Sequence, residues 1–346
     1  MHCGYADPYF SDTPKHRGHD LALWFFSHAF KKQDCHEEKF QMLVRDIESA
    51  HPGFILSPIV GLTFFRCIHM NRKDVIMGLI TEGADVNMMF RGRCMLHEAV
   101  KVSNEEMLKF LLSIKNIDKD VCDVECKTPL MEAACGRPKC LRILLEANCD
   151  MLLTDSHGDT ALHQTFTATQ ARQGDILACL DLLLEFGADI NSVGAEGKTC
   201  LQKAVEMSSY WLVKWLILHN CDLHVRVRNS RYNLAATGYK VQQDETPLII
   251  AFIKADRVMV EVLIACGCSF RHYRWILEYC KPYVLLHKYL VGAFLRVDSL
   301  QSMCRRKVRE CLTTNIVAEC QVLGLPTSIQ KFILCQDELN ALNNFE

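Results

Sequence analysis

The sequence predicts an all-α solenoid of about six short helix-turn-helix units with short hairpin loops, closed at the C-terminus by a small three-helix module. A self-similar unit recurs at near-constant spacing through the middle of the chain, and a different, single amphipathic pattern begins at Ser299. Composition agrees, since 346 residues with 49% hydrophobic and 23% charged side chains can bury a continuous core.

The clearest unit starts at Thr128-Pro129-Leu130 and runs TPLMEAACGRPKCLRILLEANCD. Taking its Leu as a marker gives Phe64, Leu96, Leu130, Leu162, Leu201 and Leu248, each followed by an apolar helix-like run. The runs end at Gly83, Lys115, Asn148, Gly187, Asn220 and Gly267. Marker-to-terminator distance is 19 residues in four units, 18 from Leu130 and 25 from Leu162, so the Leu162 unit carries extra residues between its helices.

Each part of the unit has a physical reason. Thr128 is an N-cap and Pro129 sits at the first helical position, where a missing N–H costs nothing; Thr246-Pro247 repeats the pair. Ala99, Ala133, Ala134, Ala204 and Ala251 keep the first helix thin. Runs such as Ile143-Leu144-Leu145 and Leu182-Leu183-Leu184 give the second helix its bulk. Gly or Asn then ends that helix, because both tolerate a left-handed backbone.

These residues resemble the ankyrin repeat, with Thr160-Ala161-Leu162-His163 standing for T-P-L-H and G-A-D kept at 83–85 and 187–189. The resemblance covers residues 58–270. Residues 1–57 carry no marker; Phe40, Leu43, Val44 and Ile47 share a helical face, and Trp24, Phe25 and Phe26 suit an N-terminal helical cap on the stack. Residues 224–243 interrupt the stack, because the step from Asn220 to Leu248 is 28 residues against 13 or 14 at the three regular junctions. That insertion is basic, with Arg226, Arg228, Arg231 and Lys240, and reads first as a solvated loop and second as a seat for an acidic partner.

Residues 271–298 read as closing helices and linker, and 299–346 as the terminal module. There Leu300, Met303, Cys304, Val308, Cys311 and Leu312 recur at steps of three or four, one apolar stripe, with Ser299 as N-cap and Arg305, Arg306, Lys307 and Arg309 on other faces. An amphipathic helix packed on the last repeat would give the same periodicity. Ser299-Leu300, Cys304 and Val308 nevertheless resemble the Elongin-binding motif of the SOCS box. The resemblance implies that Leu300, Met303, Cys304 and Val308 enter or line a groove on Elongin C, a helix-in-groove mode. Leu323-Gly324-Leu325-Pro326 and Ile329 resemble the second half of the box, which implies cullin contacts through Leu323, Leu325, Pro326 and Ile329, with cullin five and a RING protein as partners. Gly324 stands where the family has its first Pro. Together the two resemblances place the chain with the ankyrin repeat and SOCS box family.

Other chemistries find little support. A net charge of −2 supplies no global basic field for nucleic acid or an anionic membrane. The 19 cysteines are odd in number, lack a C-x-x-C pair and follow no recognisable secretory leader, so they read as small buried hydrophobes in a reducing compartment. Close pairs such as Cys122 with Cys126 or Cys266 with Cys268 lack zinc-finger halves, and no phosphate-binding glycine loop occurs, so no metal, nucleotide or cofactor is expected. His97 and His163 occupy the T-P-L-H histidine position and read as structural. No stretch reaches the roughly 20 apolar residues of a membrane span. A cytoplasmic protein is expected, with the nucleus also open to it.

The resemblance implies a non-catalytic substrate receptor of a ubiquitin ligase: Elongin B/C and a cullin on the box, an unidentified target on the repeats. Hairpin tips give Phe90, Arg91, Arg93, His157 and Glu196 as target-binding candidates, and the basic insertion adds Arg226 and Arg228. The competing reading is an ankyrin scaffold with no ligase role, whose C-terminal helices only cap the stack.

Overall fold

A computed structural model describes residues 57–81, 84–168, 171–225, 246–268, 277, 280–295, 300–312 and 315–340. Six helix pairs follow one another in it: α1 Ser57–His69 with α2 Lys73–Thr81, α3 Met95–Lys101 with α4 Glu105–Leu112, α5 Pro129–Ala134 with α6 Pro138–Glu146, α7 Ala161–Gln164 with α8 Gln173–Glu185, α9 Cys200–Glu206 with α10 Tyr210–Leu218, and α11 Pro247–Ile253 with α12 Arg257–Ala265. Then come α13 Val284–Leu295, α14 Leu300–Cys311, α15 Ile316–Val322, α16 Thr327–Ile333 and α17 Gln336–Asn340. Among the described residues β structure is confined to two isolated bridges at hairpin necks, Phe90 with Arg93 and Val193 with Thr199. The chain divides into two compact units, 1–133 with 139–150, and 134–138 with 151–346.

In the first unit, Thr128 Oγ1 accepts from Met131 N at 3.3 Å and Asn104 Oδ1 from Met107 N at 3.0 Å, so α5 and α4 start on side-chain caps. Ala99 and Ala133 are fully buried, as are Met107, Leu108 and Leu111 on α4 and Leu141 and Leu144 on α6. Asn148 has φ +57°, the left-handed stop expected there. In the second repeat the left-handed residue is Asn116 (φ +67°), one place after the expected Lys115, because Asn adopts that backbone more readily than Lys.

The tips are tied by a relay of short polar side chains. Asp85 Oδ1 accepts from Asn87 N at 2.9 Å; Asn87 then donates Nδ2 to Asn116 O at 3.0 Å and accepts from Asp118 N at 2.8 Å. Asp118 Oδ1 accepts from Asp120 N at 3.0 Å, and Asp120 Oδ1 from Asp150 N at 3.0 Å. Asp85 and Asp118 close their own turns, and Asn87 and Asp120 hold the next.

In the second unit, Gly187 (φ +94°), Asn220 (φ +59°) and Gly267 (φ +115°) are the helix stops the spacing marked. The extra residues after Leu162 divide in two: α7 keeps one turn and runs into a 3-10 turn at Thr165–Thr167, while α8 lengthens to 13 residues against nine in α10 and α12. Thr246 Oγ1 and Asp256 Oδ1 cap α11 and α12 by accepting from Ile249 N at 3.4 Å and Met259 N at 3.1 Å. Asn191 Oδ1 accepts from Asp222 N at 2.7 Å, so the tip relay recurs here.

Several expectations fall outside the described residues: the cap over 1–57 apart from its last residue, the terminator Gly83, the N-cap Ser299, and Arg226 and Arg228 in the insertion. Of the closing segment 271–298, α13 is described, with Leu286 and Leu290 buried.

Candidate docking site

Helix α14 is amphipathic by sequence, and in the second unit Cys304, Val308 and Cys311 of its apolar stripe are turned outward, while Leu312 at the end of the stripe packs on the core of the box. Cys304 and Cys311 are exposed and Val308 is 38% exposed, whereas Arg309, one residue on, is 7% exposed. A helix that merely closed the stack would bury the thiol and valine positions and leave its arginines in water.

The inward face is made by Arg305 and Arg309, four residues apart. Arg309 Nη2 donates to Ile217 O in the last turn of α10 at 2.8 Å, and Nη1 donates to Ile333 O at the end of α16 at 3.2 Å. Arg305 Nη1 donates to Ala265 O, the last residue of α12, at 3.3 Å, and its guanidinium lies 4.2 Å from the centre of the Phe332 ring. The Cys335 sulfur takes both guanidiniums, at 3.3 Å from Arg305 and 3.7 Å from Arg309. Asn220 Nδ2 adds a bond to Leu312 O at 2.8 Å. Carbonyls at helix C-termini have no partner inside the helix and carry partial negative charge, so a buried guanidinium finds acceptors and a favourable dipole there.

Behind α14 the box has its own small core. Ile316, Cys320, Ile333 and Leu334 are buried, with Leu218, Leu312, Val317, Leu325 and Phe332 packed against them. Between α14 and α15 an apolar cleft of about 590 Å³ opens outward, lined by Lys307, Val308, Cys311, Leu312, Glu319, Val322 and Leu323. Val322 is 87% and Leu323 60% exposed, so the stripe of α14 continues into a second exposed apolar region.

Of the residues expected to meet Elongin, Cys304 and Val308 face out, while Leu300 and Met303 lie on α14. Of those expected to meet a cullin, Leu323, Pro326 and Ile329 are exposed, and Leu325 packs half-buried on the box core. Pro326 is the N-cap of α16, and Gln330 Nε2 donates to Leu325 O at 2.7 Å. Gly324 has φ +60° directly after α15, a left-handed cap that proline cannot adopt. Val322, Asn220, Cys335 and the inward role of Arg305 and Arg309 were not foreseen. Basic residues opposite an apolar stripe look like a solvated face until the carbonyl ends beside them are known.

The target-binding candidates are placed as follows. In the first unit Phe90 meets Phe65 edge-on at 5.3 Å, and exposed Arg91, with φ +51°, lies 5.4 Å over the Phe90 ring. Arg93 is engaged with Glu132 of the next repeat. In the second unit His157 is exposed at a tip and Glu196 sits in the 3-10 turn Ala195–Gly197.

His97 and His163 repeat one geometry. His97 Nε2 donates to Lys127 O at 2.9 Å and His163 Nε2 to Ser192 O at 3.2 Å, both in the following hairpin. Thr160 Oγ1 donates to His163 Nδ1 at 2.8 Å. Burial pushes both imidazoles below their ordinary value. Asp159 anchors the same junction, with Lys203 Nζ 2.5 Å from Oδ2 and Ala195 N 2.7 Å from Oδ1. Burial raises that carboxyl, but Lys203 and the amide outweigh it and hold Asp159 below the usual carboxylate range.

Burial pushes the thiols of Cys67, Cys149, Cys179 and Cys221 up to about 12, and those of Cys94 and Cys280 up to about 11. At neutral pH these six are protonated packing groups. Among the described residues, no group of three or more His, Cys, Asp or Glu side chains is arranged to hold a metal, and no helix is long and apolar enough to cross a membrane.

The chain matches the family model for ankyrin repeats over residues 64–155 and 147–229, and the model for the SOCS box over 296–334. It is 34% identical to the ankyrin repeat and SOCS box protein 11 of Homo sapiens over 119 residues, which is 33% of each chain. Against the Mus musculus protein of that name the identity is 34% over 129 residues, 36% of each. It is also 32% identical over 117 residues to the E3 ubiquitin-protein ligase KEG of Arabidopsis thaliana, 33% of this chain and 7% of that one. The chain thus spans about a third of the length of the first two relatives and a small fraction of the third. A solved ankyrin repeat domain, that of Bcl-3, is similar at 21% identity with a TM-score of 0.49, covering 60% of this chain and 86% of that one.

Proposed function

Since this chain belongs to the ankyrin repeat and SOCS box proteins, we propose that it is the substrate receptor of an Elongin-cullin type ubiquitin ligase. The supporting observation is the outward turn of Cys304, Val308 and Cys311 on α14, continued by the cleft to Val322 and Leu323. Leu300, Met303, Cys304 and Val308 dock Elongin C in this reading, and Leu323, Leu325, Pro326 and Ile329 meet the cullin, with cullin five the expected member. The repeats over 58–270 hold the target. The cytoplasm, and the nucleus with it, is the proposed place of action.

The chain adds no bond-making group. It raises the local concentration of a target lysine near a ubiquitin-loaded enzyme, a proximity effect that ends in target ubiquitination and proteasomal degradation. Exposed thiol and valine positions lose their water in a complementary apolar groove, at about 25 cal/mol per Å² of apolar area.

Co-purification tests the reading. Elongin B and C are expected with the wild-type chain and absent from the Leu300→Ala, Cys304→Ala variant. Equal recovery with the wild-type chain and the variant would overturn the docking residues named here, and no Elongin with the wild-type chain would leave an ankyrin scaffold with no ligase role.

A further inference from the structure

We infer that Arg305 and Arg309 are positioning residues that set the roll of α14 about its own axis, keeping Cys304, Val308 and Cys311 turned outward. The inference deepens the docking reading, yet it rests on the geometry of the unbound chain. An isolated amphipathic helix beside an apolar core lowers its free energy by turning its apolar side inward. In α14 the opposite face is inward, and what holds it there is polar and directional.

Three features make the hold specific to one roll angle. Arg309 reaches two carbonyls on different helices, Ile217 O at 2.8 Å and Ile333 O at 3.2 Å, so a rotation that keeps one bond breaks the other. Arg305, one turn earlier, reaches a third helix end at Ala265 O and stacks on Phe332. Cys335, fully buried with φ +52°, receives a bond from each guanidinium and sits at the centre of the clamp. A planar guanidinium with five fixed donors suits such divergent acceptors, whereas a lysine ammonium reaches fewer of them. Turned by about half a revolution, α14 would lay Cys304, Val308 and Cys311 on the box core and the ends of α10 and α12. The docking stripe would then be hidden by the chain itself.

Thiol labelling of the full-length chain alone tests the roll without any partner. Cys304 and Cys311 are exposed reporters of the stripe, Cys335 and Cys320 are buried reporters of the clamp and core, and exposed Cys122 in the first unit is the internal standard. Rates are read by mass spectrometry in about 1 M salt, where screening shortens to about 3 Å and the lost guanidinium charges no longer bias thiol reactivity. In an Arg305→Gln, Arg309→Gln variant, which loses the charged bonds without making the inward face apolar, Cys304 and Cys311 are expected to slow about tenfold relative to Cys122 while Cys335 stays protected, the size of change that losing one or two charged hydrogen bonds produces. Unchanged ratios at Cys304 and Cys311 overturn the inference. So does fast labelling of Cys335 and Cys320 with Cys304 unchanged, because the arginines would then only hold the box onto the repeats. Should the double variant not fold, Arg309→Lys carries the same test, with a smaller slowing expected at Cys304 and Cys311 and the same overturning results. Elongin B/C binding is measured separately: a wild-type chain that fails to bind removes the docking reading, while the labelling ratios still decide the roll.

Discussion

At the scale of single residues, the two T-P-L-H histidines make stability depend on pH. Burial lowers both in the folded chain from the ordinary value of 6.5. As pH falls through 6.5 the unfolded chain takes up protons that the folded chain refuses, so stability rises with pH and is lost on acidification. The melting temperature is therefore expected to drop between pH 7.5 and 5.5. A His97→Gln, His163→Gln variant should be less stable at pH 7.5 and lose most of the slope, which thermal unfolding across that range would read. Asp159, held low, extends the loss further into the acid range as its carboxylate protonates. Gly194 packs against the same junction: a Cβ there would stand 2.4 Å from Asp159 Oδ1 and 2.5 Å from His163 Cδ2. Gly194→Ala is expected to cost about 1–3 kcal/mol in denaturant unfolding by overpacking.

At the scale of elements, Gly324 sharpens the meaning of a departure visible in the sequence. Its φ of +60° makes it the left-handed cap of α15, so restoring the family's proline by Gly324→Pro conflicts with the local backbone. That variant is expected to lose about 1–3 kcal/mol by chemical denaturation, whereas Gly324→Asn, which tolerates the same region, should stay within about 1 kcal/mol of wild type. Helix existence and helix ends were largely legible: Thr128 and Thr246 cap, Asn148, Gly187, Asn220 and Gly267 stop. These signals are local, since a cap or a left-handed residue acts within one turn. The split of the extra residues after Leu162 was not legible, because length alone does not say whether a loop or a helix absorbs them. The direction of the α14 stripe was not legible either. Periodicity finds two faces, and only the carbonyls at Ile217 and Ala265, 92 and 40 residues away in sequence from their arginines, decide which one turns inward.

At the scale of the whole molecule, docking and stability should separate by helix face. Val308→Ser removes an outward methyl pair and is expected to shift unfolding by no more than about 0.5 kcal/mol, while weakening the proposed Elongin interaction. Calorimetry on the chain alone and a binding titration with Elongin B/C would show the two effects apart. The thiols report the same division: with a small alkylating reagent, Cys122, Cys304 and Cys311 should react in the native chain, and buried Cys67, Cys140, Cys200 and Cys221 only as denaturant unfolds it.

The relay at the hairpin tips has a consequence in time. Asp85 closes one turn and Asn87 clasps the next, where Asp118 closes the turn and Asp120 carries the clasp on to Asp150. A repeat that opens removes the cross-repeat partners of its neighbour's tip, so the neighbour opens next at a lower cost. Within the first unit, unravelling should then advance as a front from one tip to the adjacent one, in sequence order, with Asn87→Ala letting it start sooner.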